Sequence, residues 1–177
     1  MKEDKDVVDA SFNIVFMGMG EPLDNFEEVA KSLEILTDKE YFNLSQGRIT
    51  VSTSGINDKI EPLLERFNNI KIALSLISAN NAKRASVMPV TNKFPVEILY
   101  KTLSECYKKY KNRFTLEYVL IKNFNMSDED IDDLELFNKE PFHINLIPLN
   151  HSDDDMKRPE ENEIKHFQTK LEKKGFC

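Results

Sequence analysis

Residues 13–23 read NIVFMGMGEPL and combine a strand pattern with a glycine-rich turn. A short apolar run ends at two glycines, Gly18 and Gly20, which are followed by Glu21 and Pro22. Buried parallel strands consist of continuous apolar runs, and glycine lets a ligand approach the backbone closely. The stretch therefore predicts a strand whose carboxyl end carries a carboxylate at the edge of a binding site.

Apolar runs and helical patterns alternate along the rest of the chain. Runs rich in Val, Ile, Leu and Phe predict strands at 12–17, 48–53, 71–77, 114–121 and 142–149. Apolar residues at helical spacing predict helices at 26–37, 57–67, 96–110, 128–138 and 160–174. Repeated strand–helix units indicate an α/β fold with a parallel sheet, as an open doubly wound sheet or an arc of a barrel. Both architectures place ligands at the carboxyl ends of the strands.

Composition limits the classes of function. A length of 177 residues suits one domain, and no run of 18 apolar residues predicts a membrane span. The net charge of −7 counts against nucleic-acid binding by this chain alone, because neutralising phosphates requires clustered Lys and Arg. The acidic stretch 1–12 has no apolar signal core, so we expect a cytoplasmic protein.

Polar side chains stand at the ends of several predicted strands. Ser52 ends the second strand and points inward if Val51 points outward, Ser75 lies near the end of the third, and Asn150 follows the fifth. Together with Glu21, these groups would meet at one mouth and bind polar groups of a ligand. The Glu21 carboxylate suits a ligand ammonium in particular.

Simpler explanations of the same residues stay open at this stage. A dinucleotide-binding loop is disfavoured because Leu23 occupies its third glycine position. Glu21 is also compatible with a surface position in a tight turn, and Ser54 or Asn57 with the cap of the next helix. The acidic runs 127–133 and 152–155 each predict a capped helix start rather than a cation site.

Several segments together resemble one family of enzymes. The segments, found in the family's order, are VFMGMGEPLDNFEEV (15–29), RITVSTSGI (48–56), LEYVLI (116–121), INLIPLN (144–150) and KKGF (173–176). They resemble the radical S-adenosylmethionine methyltransferases that methylate adenine C2 in 23S ribosomal RNA and tRNA. The resemblance implies a partial (βα)6 TIM-like barrel with strands two to six present, formed by residues 12–177 after an N-terminal extension at 1–11.

The resemblance also implies a cofactor site. Positions that contact S-adenosylmethionine in the family fall on Gly20, Glu21, Ser52, Ser75, Leu76, Ile77 and Asn150. Glu21 would meet the amino group of the cofactor. These positions agree with the strand ends identified from the residues themselves.

The sequence departs from the family in its cysteines. The family binds a 4Fe–4S cluster through a C-x-x-x-C-x-x-C loop and carries a methyl group on a further cysteine, whereas this chain has only Cys106 and Cys177. We therefore expect neither metal ligands nor catalytic cysteines here, and no methylation by the isolated chain. Ile77 stands where the family usually has His, and Thr91 where it usually has Asn.

Three interpretations follow. The chain is the barrel portion of an adenine-C2 methyltransferase, or a naturally truncated, non-catalytic binding or scaffold module of the same fold, or an unrelated βα enzyme that uses Glu21 and Asn150 on another small ligand. The resemblance implies 23S rRNA and tRNA as partners. A barrel that lacks its first strand would leave the strand at 12–17 with an open edge, which predicts self-association.

Overall fold

The computed structural model describes residues 12–139, 142–150 and 156–176. Its five strands are β1 (Ile14–Phe16), β2 (Ile49–Thr53), β3 (Lys71–Ser75), β4 (Phe114–Leu120) and β5 (His143–Pro148). Its α-helices are α1 (Phe26–Thr37), α2 (Asn57–Arg66), α3 (Asn81–Val87), α4 (Val96–Tyr110), α5 (Asp128–Leu134) and α6 (Glu161–Lys173). Short 3-10 helices occupy Pro22–Asn25, Gln46–Arg48, Pro89–Asn92 and Glu135–Lys139. All five predicted strands and all five predicted helices are confirmed: the helices predicted at 26–37 and 96–110 match without a shift, and the other elements differ by at most four residues at an end.

Helix α3 is the one α-helix of the described residues that the sequence patterns missed. Its seven residues are too few to show a helical period. Asn80 begins it by accepting hydrogen bonds from the backbone N–H groups of Ala82 and Lys83 at 3.0 and 3.2 Å. The helix places the buried Arg84 at the ends of the strands.

The order of the strands decides between the two architectures. The five strands are parallel throughout, and their order in the sheet is the same as their order in the chain. A doubly wound sheet reverses its strand order at a switch point, whereas a barrel adds each strand on the same side of the last. The described sheet is therefore an arc of a barrel with its carboxyl strand ends at one rim.

Side chains alternate between the two faces of the sheet, as parallel strands require. In β4, Leu116 and Tyr118 are fully buried under the helices, whereas Glu117 and Val119 lie half-buried on the concave face. The core lies between the convex face and the helices. The concave face carries the smaller and more polar side chains, which leaves room for a ligand.

β1 forms one edge of the described sheet and pairs only with β2 there. Its neighbourhood exposes three apolar side chains, since Val15 is 50%, Met17 60% and Met19 105% exposed. The open edge expected from the sequence is thus present in the described residues. Self-association through it stays a prediction.

Two predictions about helix starts have different outcomes. Ser127 caps α5 and forms a reciprocal capping box with Asp130, as the acidic run 127–133 predicted. The second acidic run, 152–155, lies outside the described residues. The predicted cap of α2 is wrong: Ile56 holds the cap position without a side-chain bond, and Ser54 bonds elsewhere.

No helix in the three described ranges combines the length and the apolar character that crossing a membrane requires.

Candidate functional site

A cavity of about 270 Å³ opens at the carboxyl ends of the strands. All five strands contribute to its lining, either through their own residues or through the loops that follow them. Among the residues expected at the cofactor, those that line it are Gly20, Glu21, Ser52, Ser75 and Ile77. The structure thus brings together five of the seven positions inferred from sequence. Leu76 and Asn150 lie outside the cavity lining.

Glu21 is held in a fixed position at the rim. Its Oε1 accepts a hydrogen bond from the backbone N–H of Leu23 at 3.0 Å, which caps the 3-10 helix that Pro22 starts. Its Oε2 accepts two bonds of 2.6 Å from Ser54, one from the backbone N–H and one from the hydroxyl. The alternative of a surface Glu in a tight turn is thus right about the turn, but Glu21 is half-buried and its carboxylate is hydrogen-bonded. The carboxylate joins the loop after β1 to the end of β2.

Ser52 and Ser75 both line the cavity on the concave face, and for Ser52 the alternation along the strand predicted this. Ser52 is 8% exposed and lines the cavity, whereas its neighbour Val51 is fully buried on the opposite face. Ser75 lies on the neighbouring strand and pairs in register with Glu117 of β4. A row of polar side chains therefore crosses the sheet beneath the rim.

Leu76 and Ile77 differ in their relation to the cavity. The Leu76 side chain is fully buried in the core, so the residue can reach the site only through its backbone. Ile77 lines the cavity with a left-handed backbone at φ +59°. That conformation strains a β-branched residue, and Asn125 holds it by donating from Nδ2 to the Ile77 carbonyl at 2.7 Å. His adopts this conformation more readily than Ile does.

Asn150 is exposed and lies beyond the lining of the cavity. β5 ends at Pro148, two residues earlier, so the strand that was expected to aim Asn150 at the mouth has already ended. The residue that β5 itself contributes is Ile147. A contact between Asn150 and the cofactor stays a prediction.

Sequence reasoning missed Glu117, the second carboxylate of the cavity. Glu117 lies in the middle of β4, and its Oε2 accepts a hydrogen bond of 2.8 Å from Nδ2 of Asn145 on β5. The signal was present, because a lone acid interrupts the apolar run 114–121 at a concave-face position. Met88 and Val119 supply apolar lining that no motif marked.

The charges of the cavity favour a cationic ligand. The described lining residues include two carboxylates, Glu21 and Glu117, and no Lys, Arg or His side chain. Opposite charge in a partly enclosed site strengthens both attraction and hydrogen bonding. Ligands with an ammonium or sulfonium group are therefore favoured over phosphates.

The cysteine of α4 takes no part in this site. Cys106 is buried in the core, and burial raises the pKa of its thiol to about 11. In the part of the chain that the structure describes, no cluster of three His, Cys, Asp or Glu residues could hold a metal ion. The described residues therefore do not fit the 4Fe–4S cluster that the resemblance implies.

Comparison with known proteins tests the resemblance. The "probable dual-specificity RNA methyltransferase RlmN" of Thermosipho melanesiensis is 43% identical over 165 residues, which are 93% of this chain and 48% of that protein. The "ribosomal RNA large subunit methyltransferase N" of Nitrosopumilus maritimus is 39% identical over 92% of this chain and 47% of its own length. The chain is a homologue of these RNA methyltransferases. The interpretation as an unrelated βα enzyme is therefore wrong.

Solved structures agree with this homology. A radical SAM methyltransferase from Sphaerobacter thermophilus superposes with a TM-score of 0.83 at 35% identity, over 93% of this chain and 49% of its own. A domain of pyruvate-formate lyase-activating enzyme from Bacteroides vulgatus has a TM-score of 0.67 at 21% identity, which supports the fold alone. No family profile matches the chain. The expected partial TIM-like barrel is confirmed, and the chain spans about half the length of the relatives it matches.

Proposed function

We propose that the chain binds S-adenosylmethionine in the rim cavity and forms the barrel portion of an RNA adenine-C2 methyltransferase. The observation that carries the proposal is the convergence of Gly20, Glu21, Ser52, Ser75 and Ile77 on one cavity. The motif resemblance selects the same five positions from the sequence alone, independently of the geometry. Homology over 93% of the chain supports the same assignment.

The cavity suits part of this cofactor in size and charge. Its volume of about 270 Å³ is slightly below the range for small-molecule sites, about 300–1,000 Å³, and so suits only part of the cofactor. S-adenosylmethionine carries an ammonium and a sulfonium, and the two carboxylates of the lining offset such charges. The cofactor supplies an electrophilic methyl group on its sulfonium.

Each lining residue has a role that its chemistry allows. Glu21 would accept hydrogen bonds from the cofactor ammonium, which adds to the three bonds the carboxylate already accepts. Ser52 and Ser75 offer hydroxyls for polar groups of the cofactor. Gly20, at φ +123° with open space around its Cα, lets the ligand pass close to the backbone.

Cluster chemistry and RNA recognition are outside what the described residues provide. We propose that the 177 residues bind the cofactor but do not methylate RNA on their own, because two cysteines cannot supply the three thiolates of a cluster loop. Ribosomal RNA and tRNA are the proposed substrates of the whole enzyme, and the cytoplasm is its proposed location. The net charge of −7 also argues against tight RNA binding by this chain.

Isothermal titration of the purified chain with S-adenosylmethionine tests the binding proposal. We expect saturable binding that S-adenosylhomocysteine competes for and that Glu21→Ala weakens at least tenfold. Glu40→Ala is the matched control, because Glu40 is an exposed glutamate in the turn after α1. Absence of binding by the wild-type chain, or equal binding by Glu21→Ala and Glu40→Ala, would overturn it.

Incubation with radiolabelled cofactor, a reductant and 23S rRNA tests the proposal that the 177 residues do not methylate RNA on their own. We expect no label in RNA from the chain alone. Label incorporated into adenine by the 177 residues would refute the expectation.

A further inference from the structure

A buried arginine lies directly behind the rim of the cavity. Arg84 of α3 is 0% exposed, although arginine has a long and charged side chain. Burying a charge is costly unless hydrogen bonds compensate for the lost water. A guanidinium in this position therefore needs a complete set of acceptors.

The acceptors are neutral oxygen atoms: three carbonyls at the ends of β2 and β3 and one hydroxyl of the 3-10 helix Pro89–Asn92. Arg84 donates from Nη2 to the carbonyls of Ser54 and Ser75 at 2.5 and 3.0 Å, and from Nε to that of Leu76 at 2.9 Å. Its Nη1 donates to the Thr91 hydroxyl at 2.7 Å. Burial lowers the pKa of Arg84 to about 10, so the group still carries its charge at neutral pH. The Thr91 departure from the family pattern thus has a structural role.

Ser54 links this cation to the carboxylate of the site. Its carbonyl accepts from Arg84, while its N–H and hydroxyl both donate to Glu21. A cation and an anion far apart in sequence thus hold the same residue from two sides. The position of Ser54 determines where the Glu21 carboxylate lies.

We propose that Arg84 is a positioning residue for the ligand site, which holds the Glu21 carboxylate in its binding orientation through Ser54. The effect on cofactor binding rests on the proposed function, whereas the effect on Ser54 does not. The planar fork of an arginine reaches several carbonyls at once, and a lysine ammonium cannot match that geometry. A role in folding alone would affect stability and leave the local geometry of Ser54 intact.

Arg84→Lys keeps the charge and removes the fork, which makes it the test variant. Arg66→Lys is the matched control, because Arg66 lies on the outer surface of α2 and pairs with Glu27 and Glu34. The first readout is amide hydrogen exchange at Ser54 in the folded protein, measured by NMR against other β2 amides. We expect exchange at Ser54 to accelerate at least tenfold in Arg84→Lys and to be unchanged in Arg66→Lys.

The second readout is titration with S-adenosylmethionine. We expect Arg84→Lys to weaken binding at least tenfold. We also expect Glu21→Ala to reduce the affinity by a smaller factor in the Arg84→Lys variant than in the wild-type chain. Unchanged Ser54 exchange together with binding within twofold of wild type would overturn the proposal. If the wild-type chain binds no cofactor, the proposed function fails, and Ser54 exchange alone decides the role of Arg84.

If Arg84→Lys does not fold, a milder variant tests the same proposal. Thr91→Val removes the acceptor of Nη1 and leaves Arg84 in place. We expect a several-fold acceleration of Ser54 exchange in this variant. Exchange equal to wild type in folded Thr91→Val would overturn the proposal.

Discussion

Removal of the Glu21 carboxylate is the most informative perturbation of stability. Glu21→Ala deletes the acceptor of three hydrogen bonds, from the Leu23 N–H, the Ser54 N–H and the Ser54 hydroxyl. Bonds to charged groups contribute about 1.5–3 kcal/mol when buried, and a helix cap about 1 kcal/mol. The site opens to water, so the freed donors are rehydrated and each loss falls to about 1 kcal/mol. The expected total is about 2–3 kcal/mol.

Urea unfolding followed by far-ultraviolet circular dichroism measures this loss. A cost of that size lowers the melting temperature of a chain of this length by about 5–10 °C. Glu40→Ala serves as the control, and we expect it to change stability by less than about 0.5 kcal/mol. If the two variants are equally stable, the hydrogen bonds at the rim contribute nothing and the reasoning fails.

The remaining predictions concern the core around α4. Gly55→Ala should destabilise the fold by about 2–3 kcal/mol, because φ is +103° and the added Cβ would lie 3.0 Å from Leu99 Cδ2. Gly47→Ala is the control, because its added Cβ has no neighbour nearer than 3.7 Å. It should lower the free energy of unfolding by less than about 1 kcal/mol in the same urea assay. Equal losses of stability in the two variants would contradict the argument. Because burial raises the pKa of Cys106 from 9.0 to about 11, the folded state binds the thiol proton more tightly, so stability should fall as pH rises between these values. Cys106→Ala should remove that component of the pH dependence, and an unchanged profile would refute it.

Local sequence patterns were enough to predict most of the elements and the edge of the sheet at which the cavity opens. Continuous apolar runs located all five strands because parallel strands carry apolar side chains toward the helices that cover them. Alternation along a strand predicted that Ser52 faces the concave side, since a strand has a fixed period of two. The Gly-Glu-Pro after β1 marked the rim, because glycine and proline control where a chain turns.

The way in which the elements combine is visible in the tertiary structure alone. The strand order identifies the sheet as an arc of a barrel and excludes a doubly wound sheet, and no local sequence pattern encodes which strands become neighbours. Ser54 does not cap α2 because the helix begins at Asn57 with Ile56 at its cap position, two residues beyond Ser54. Asn150 left the cavity because β5 ends before it.

Local patterns in the chain are enough to predict a row of strand–helix units with a carboxylate at the carboxyl edge of the sheet, since both properties depend on residues that are neighbours in sequence. The tertiary structure decided that Glu117 faces the cavity, that Arg84 holds the ends of β2 and β3, and that Ile77 adopts a strained left-handed backbone. Each of these depends on contacts between residues far apart in sequence. Such contacts form only when the strands associate in one order, and that order is a property of the packed sheet.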